Sequence, residues 1–191
     1  MKLLGTILIL SFVFASSCND TKKNEKSETN SEEKSTKKVE APSMDIHAAT
    51  FMGDLASIRK HIEAGTDLNL KEPMAGSTPL ISASLFGRTE AAKLLIESGA
   101  DLNIQNNEGS TALFTAAFLC RTEVVSMLLE KGADKNIKNN VGSIALDGVI
   151  GPFEDVKFIY DILSKELGPL GLKLDYKRIE ETRPIIAEML K

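Results

Sequence analysis

The chain offers little from which to build chemistry at a metal or a nucleophile. It has two cysteines, two histidines, two tyrosines and no tryptophan in 191 residues. Cys18 and Cys120 are far apart in sequence, and His47 and His61 stand alone, so no ligand set with zinc spacing exists. No block of Lys and Arg occurs either: 23 basic against 27 acidic side chains give a formal net charge of −4. Affinity for a phosphate backbone comes from such a block, so a nucleic-acid binder is excluded along with a zinc protein. What remains is ordinary for a soluble domain, 42% hydrophobic and 26% charged. The distribution of these residues is far from uniform.

Lys2 is followed by an apolar run over residues 3–14 and then by Ala15, Ser16 and Ser17. A dozen residues falls short of the roughly 20 that cross a bilayer core as a helix. A positive start, a short apolar core and small residues read as a secretory signal over residues 1–17. The next residue is Cys18. This stretch resembles the lipobox of bacterial lipoproteins, which implies cleavage before Cys18 and a lipid anchor on its thiol. Ala15 stands where leucine is commonest, and plain cleavage after Ser17, giving a soluble periplasmic or secreted protein, is the alternative. Over residues 19–43 six lysines balance six acids, with Val39 the one large apolar side chain. Such a stretch buries too little apolar surface to offset its ordering entropy. It reads as a disordered tether of about 25–30 Å root-mean-square reach.

From Met44 onward the chain repeats itself. Ser77-Thr78-Pro79-Leu80-Ile81 is matched 33 residues later by Ser110-Thr111-Ala112-Leu113-Phe114. Arg88-Thr89-Glu90 is matched by Arg121-Thr122-Glu123. Each unit continues into an apolar helical pattern and stops at Gly99-Ala100-Asp101 or Gly132-Ala133-Asp134, with a less regular copy ending at Gly65-Thr66-Asp67. A fixed period of this size predicts a stacked helical array. Thr78 and Thr111 are placed to cap a helix, Pro79 suits a first helical position, and the glycines suit a helix end. The first unit holds one extra residue in the stretch that contains Glu72, Pro73 and Met74.

The Thr-Pro-Leu string, the Gly-Ala-Asp turns and the step of 33 resemble the ankyrin-repeat family. The resemblance implies an all-α repeat solenoid of helix-turn-helix units joined by β-hairpin fingers. The units are drawn at about 44–76, 77–109 and 110–142, with a degenerate repeat and helical cap at 143–191. The family's histidine after Thr-Pro-Leu is replaced by Ile81, Phe114 and Asp147. Cys120 occupies the slot of Gly53 and Gly87, where a positive φ costs a cysteine about 1 kcal/mol or more. Gly151 and Pro152 break the fourth unit, whose second-helix pattern resumes at residues 158–163. A last helix is drawn with Ile179, Ile185, Ile186, Met189 and Leu190 on its apolar face.

The resemblance implies recognition of another protein by the concave face and the fingertips. The candidate ladder on the concave face is Phe51, Met52, Leu85, Phe86, Phe118 and Leu119, with packing of one member of each pair between helices as the bland alternative. The candidate fingertips are Glu72 and Met74, then Asn106, Asn107 and Glu108, then Asn139, Asn140 and Val141; simple turn chemistry is the alternative there. Catalysis is not expected. His47 and His61, the latter drawn on a polar helix side, have no nucleophile at a recognisable spacing. No cofactor and no metal is expected. Three readings result: a monomeric, membrane-tethered module binding another envelope protein, an inhibitor or immunity-like protein occluding an envelope enzyme or toxin, and a redox role through Cys120.

Overall fold

The computed structural model describes residues 40–191. The expected signal at 1–17, Cys18 and the expected tether as far as residue 39 lie outside the described residues. Eight α-helices follow in order: α1 (Ile46–Met52), α2 (Leu55–Glu63), α3 (Pro79–Phe86), α4 (Thr89–Glu97), α5 (Ala112–Phe118), α6 (Thr122–Glu130), α7 (Phe153–Leu167) and α8 (Tyr176–Leu190). Among the described residues none is long and apolar enough to cross a membrane.

The inner helices start on side-chain caps. The Thr78 hydroxyl accepts from the Ile81 amide at 3.3 Å, and the Thr111 hydroxyl accepts from the Phe114 amide at 3.2 Å. Asp45 does the same for α1, accepting from the His47 and Ala48 amides at 2.9 and 3.0 Å. These bonds satisfy donors that a helix start otherwise leaves orphaned. Pro79 takes the first turn of α3, where no amide is needed.

Two layers result. Helices α1, α3 and α5 pack side by side, and α2, α4, α6 and α8 form the second row. The core between them is aliphatic and closed: Ile58, Ala92, Leu95, Val124, Val125 and Leu128 are all 0% exposed. Between units the chain forms finger-like turns, closed by Asn106 N–H to Ser110 O at 3.0 Å and Asn139 N–H to Ser143 O at 2.9 Å. Among the described residues these fingers are turns and carry no strand.

Four placements differ from the sequence reading. The outer position of the fourth unit is filled by α8, which packs on α6, and not by residues 158–163. The unit's first helix is replaced by turns over 144–150, in which Leu146 O accepts from both the Val149 and Ile150 amides. His61 is buried at 4% exposed and does not lie on a polar face. It stands four residues before Gly65, as Leu95 and Leu128 stand four before Gly99 and Gly132, so it occupies a core position of the end unit. There its ring nitrogens meet Met44 O at 2.8 Å and Thr66 Oγ1 at 3.0 Å. In α8 the buried side is Ile179, Arg183, Ile186, Ala187 and Leu190, and Ile185 is 56% exposed. One residue's rotation of about 100° separates Ile185 from the buried Ile186.

Candidate functional site

The six ladder residues fall on two rows when the units are aligned on Gly53, Gly87 and Cys120. Phe51, Leu85 and Phe118 form one row; Met52, Phe86 and Leu119 form the other. The second row is increasingly covered toward the C-terminus: Met52 is 62% exposed, Phe86 is half-buried and Leu119 is 2% exposed. Leu119 belongs to the core, because the C-terminal cap closes over the third unit. In the first row all three side chains are half-buried. Phe51 meets Phe86 edge to face with ring centres 4.7 Å apart, so the two rows touch across adjacent units. Phe118 stacks on Tyr160 of α7, also at 4.7 Å. The sequence reading did not place Tyr160 in this stack.

The backbone beneath the first row is tied from the next unit each time. Arg88 Nε donates to Phe51 O at 2.9 Å, and Arg121 Nη2 donates to Leu85 O at 3.4 Å. The Arg121 guanidinium runs so close over Gly87 that a Cβ there would lie 2.9 Å from its Cζ. No third arginine follows. The Tyr160 hydroxyl instead donates to Phe118 O at 2.6 Å, and it accepts from Arg183 Nη1 at 3.2 Å. Arg183 is 2% exposed, and its guanidinium also donates to Gly148 O at 3.0 Å and Ile150 O at 3.3 Å. This one buried cation therefore holds the irregular turns, α7 and α8 together.

Most polar groups at the fingertips are committed inside the protein. Asn106 Oδ1 accepts from the Glu108 and Ser110 amides, and Asn139 Oδ1 from those of Val141 and Ser143. Glu72 does this work in the longer first finger, accepting from Met74, Ala75 and Ser77 at 2.7, 2.7 and 3.0 Å. Burial pushes the Glu72 carboxyl up, but these three amides outweigh it and hold the group below its ordinary range. Asn107 and Asn140 staple successive fingers: Asn107 Nδ2 donates to Met74 O at 3.0 Å, and Asn140 Nδ2 to Asn107 O at 2.8 Å. Met74, Glu108 and Val141 remain outward-facing, with Met74 and Val141 at 89% and 84% exposed.

A cleft of about 430 Å³ lies between the fingers, the inner helices and α7. Its apolar walls are Leu85, Phe114 and Phe118 on one side and Ile159, Leu163 and Leu167 on the other. The last three share one helix face at i, i+4 and i+8, a spacing present in the sequence that was assigned there to an outer helix.

Groups for chemistry are few. Among the described residues no cluster of three His, Cys, Asp or Glu side chains is placed to hold a metal ion. Burial lowers the His47 pKa below its ordinary value, against the pull of Asp45 and Glu72. Cys120 has φ +52° and is fully buried, with Sγ 3.6 Å from Ile179 O. Burial pushes its thiol up to about 11, against three nearby arginines, so thiolate is scarce at neutral pH. In native protein carrying Cys18→Ser, DTNB at pH 8 is expected to leave Cys120 unmodified and to label it fully in denaturant. Rapid native labelling would contradict the closed cap.

A comparison with curated proteins finds no match. A family model for ankyrin repeats matches residues 46–139 in three copies, the span that holds α1 to α6 and the first two fingers. Residues 46–139 of this chain are ankyrin repeats.

Proposed function

We propose that this protein is a membrane-tethered module that binds another protein of the bacterial envelope through its concave face, with no catalysis of its own. The observation that carries the reading is a regular three-unit array whose inner face keeps apolar side chains half-exposed and is open at Met52. Ankyrin repeats are a non-catalytic interaction fold. Half-exposed aromatics beside polar fingers have the make-up of an interface centre and its rim. Export and anchoring rest on the sequence pattern over 1–17 and on Cys18, whose acylation would hold the array near a membrane. Occlusion of an envelope enzyme or toxin is one form this binding would take. A redox role draws no support from a buried thiol of raised pKa.

Affinity capture from solubilised envelope tests the binding. Full chain should retain a stoichiometric partner, and a Met52→Glu, Phe86→Ser variant of unchanged melting should weaken it by about thirtyfold, the loss of one interface hot spot. Equal retention by both would remove the concave face from the reading. The anchor is tested alongside by metabolic labelling with an alkyne fatty acid, expected on the wild type and lost in Cys18→Ser.

A further inference from the structure

The cleft under α7 is a feature that the regular repeats would not create. An array ending in an ordinary fourth unit would not bring a 15-residue helix against the inner face. Here α7 is held at that face by the Phe118–Tyr160 stack and the Tyr160 hydroxyl bond to Phe118 O. These contacts fix the middle of α7, and the space beside them, about 430 Å³, stays open. That volume lies in the range of ligand sites, roughly 300–1,000 Å³.

The lining has two characters. The helix walls are apolar, as given above, while the finger side presents Ser77, Ser110 and Asn106. One lining side chain is charged, Glu108. It is exposed, and among the described residues no ion pair engages it. The apolar wall also continues along α7 into solvent, where Phe158 and Ile162 are 61% and 55% exposed.

We propose that this cleft takes a peptide segment of the partner that inserts a large apolar side chain between α5 and α7 and sets a lysine or arginine against Glu108. The inference rests on the protein-binding reading above and names the chemistry of the segment bound. An apolar anchor matches the helix walls, the peptide backbone matches the polar finger side, and the cation matches Glu108, the one carboxylate lining the cleft. A fatty acid fits the walls but brings a carboxylate to the Glu108 side, where like charges repel.

The test is selection of a phage-displayed random dodecamer library on immobilised full chain, followed by affinity measurement with the selected peptides. The expected consensus joins Leu, Ile or Phe to a nearby Lys or Arg. Leu163→Gln and Ile159→Gln, each checked by circular-dichroism melting, should each weaken binding about tenfold or more. Glu108→Lys, an exposed change with no reason to disturb folding, should select peptides without the cation. Peptides with no basic residue, or displacement of the selected peptides by palmitate, would overturn the proposal. Peptides that respond to Met52→Glu but not to Leu163→Gln would overturn it while leaving a protein-binding face intact. A library that yields no binder would count against both readings.

Discussion

Tyr160→Ala is expected to cost about 3–5 kcal/mol, the range for deleting a buried aromatic side chain. The ring is 0% exposed and lies between Phe118 at 4.7 Å and Phe153 at 5.6 Å. Its hydroxyl is the link between Phe118 O and Arg183, so the substitution also leaves a buried carbonyl and part of a buried guanidinium short of partners. A domain of this kind has about 5–15 kcal/mol in total, so the cap should loosen before the repeats melt. Tyr160→Phe keeps the ring and should lose about 1–3 kcal/mol, the penalty for the stranded polar groups. Denaturant melts measure both, and DTNB reaction of Cys120 reports whether the cap has opened. A loss below about 1 kcal/mol in the alanine variant would show that α7 is not held through this residue.

The same network sets an alkaline limit. Burial raises the Tyr160 phenol from 10.0 to about 12, Arg183 opposing, and raises Cys120 from 9.0 to about 11. Both groups are neutral in the fold and ionise more readily once unfolded. Their stabilisation is therefore complete below about pH 9, and it is lost as pH rises through 11 to 12. Tyr160→Phe should flatten the upper part of that fall.

Leu95→Ala and Leu128→Ala are each expected to cost about 2–5 kcal/mol. Both side chains are 0% exposed and fill the same position of successive outer helices. In a linear stack each unit is stabilised chiefly by its neighbours, so a cavity in a middle unit weakens two interfaces at once. Leu95 sits between α2 and α6 in the row and should therefore show a lowered denaturant slope as well as a lowered midpoint, as the array stops unfolding in one step. Equilibrium urea melts separate the two quantities. An unchanged midpoint in both variants would contradict the register of the repeats.

That register was legible because it depends on local chemistry repeated at a fixed step. Threonine caps, glycine turns and the spacing of Leu95 and Leu128 each act within one unit, and their recurrence identifies the unit. Even the strained slot was visible, since Cys120 replaces a glycine and keeps its positive φ of 52°. Position by position, the same step also predicts His61 in the core, once it is aligned on Gly65 with Leu95 and Leu128. Its polarity suggests the surface, but its position in the unit places it in the core.

What the sequence did not disclose lies at the C-terminal end, where periodicity stops. The pattern at 158–163 is apolar and helical, but nothing local says which layer it joins. That choice is made by contacts distant in sequence: Tyr160 with Phe118, Arg183 with Gly148 and Ile150, and Cys120 with Ile179. Leu119 passes from the surface to the core for the same reason. The fingertip asparagines illustrate the converse. Their type suits a partner, yet their amides serve the neighbouring finger, which single-unit reading cannot reveal.

The most direct test of the account is site-specific photo-crosslinking in intact cells. A photoreactive residue would replace Met52, Phe86 or Phe114 on the inner side, or Lys93 or Glu130 on the outer helices. The account predicts one discrete adduct with another envelope protein from the inner positions and none from the outer pair. Adducts formed from Lys93 or Glu130 alone, or from neither set, would contradict binding by the concave face.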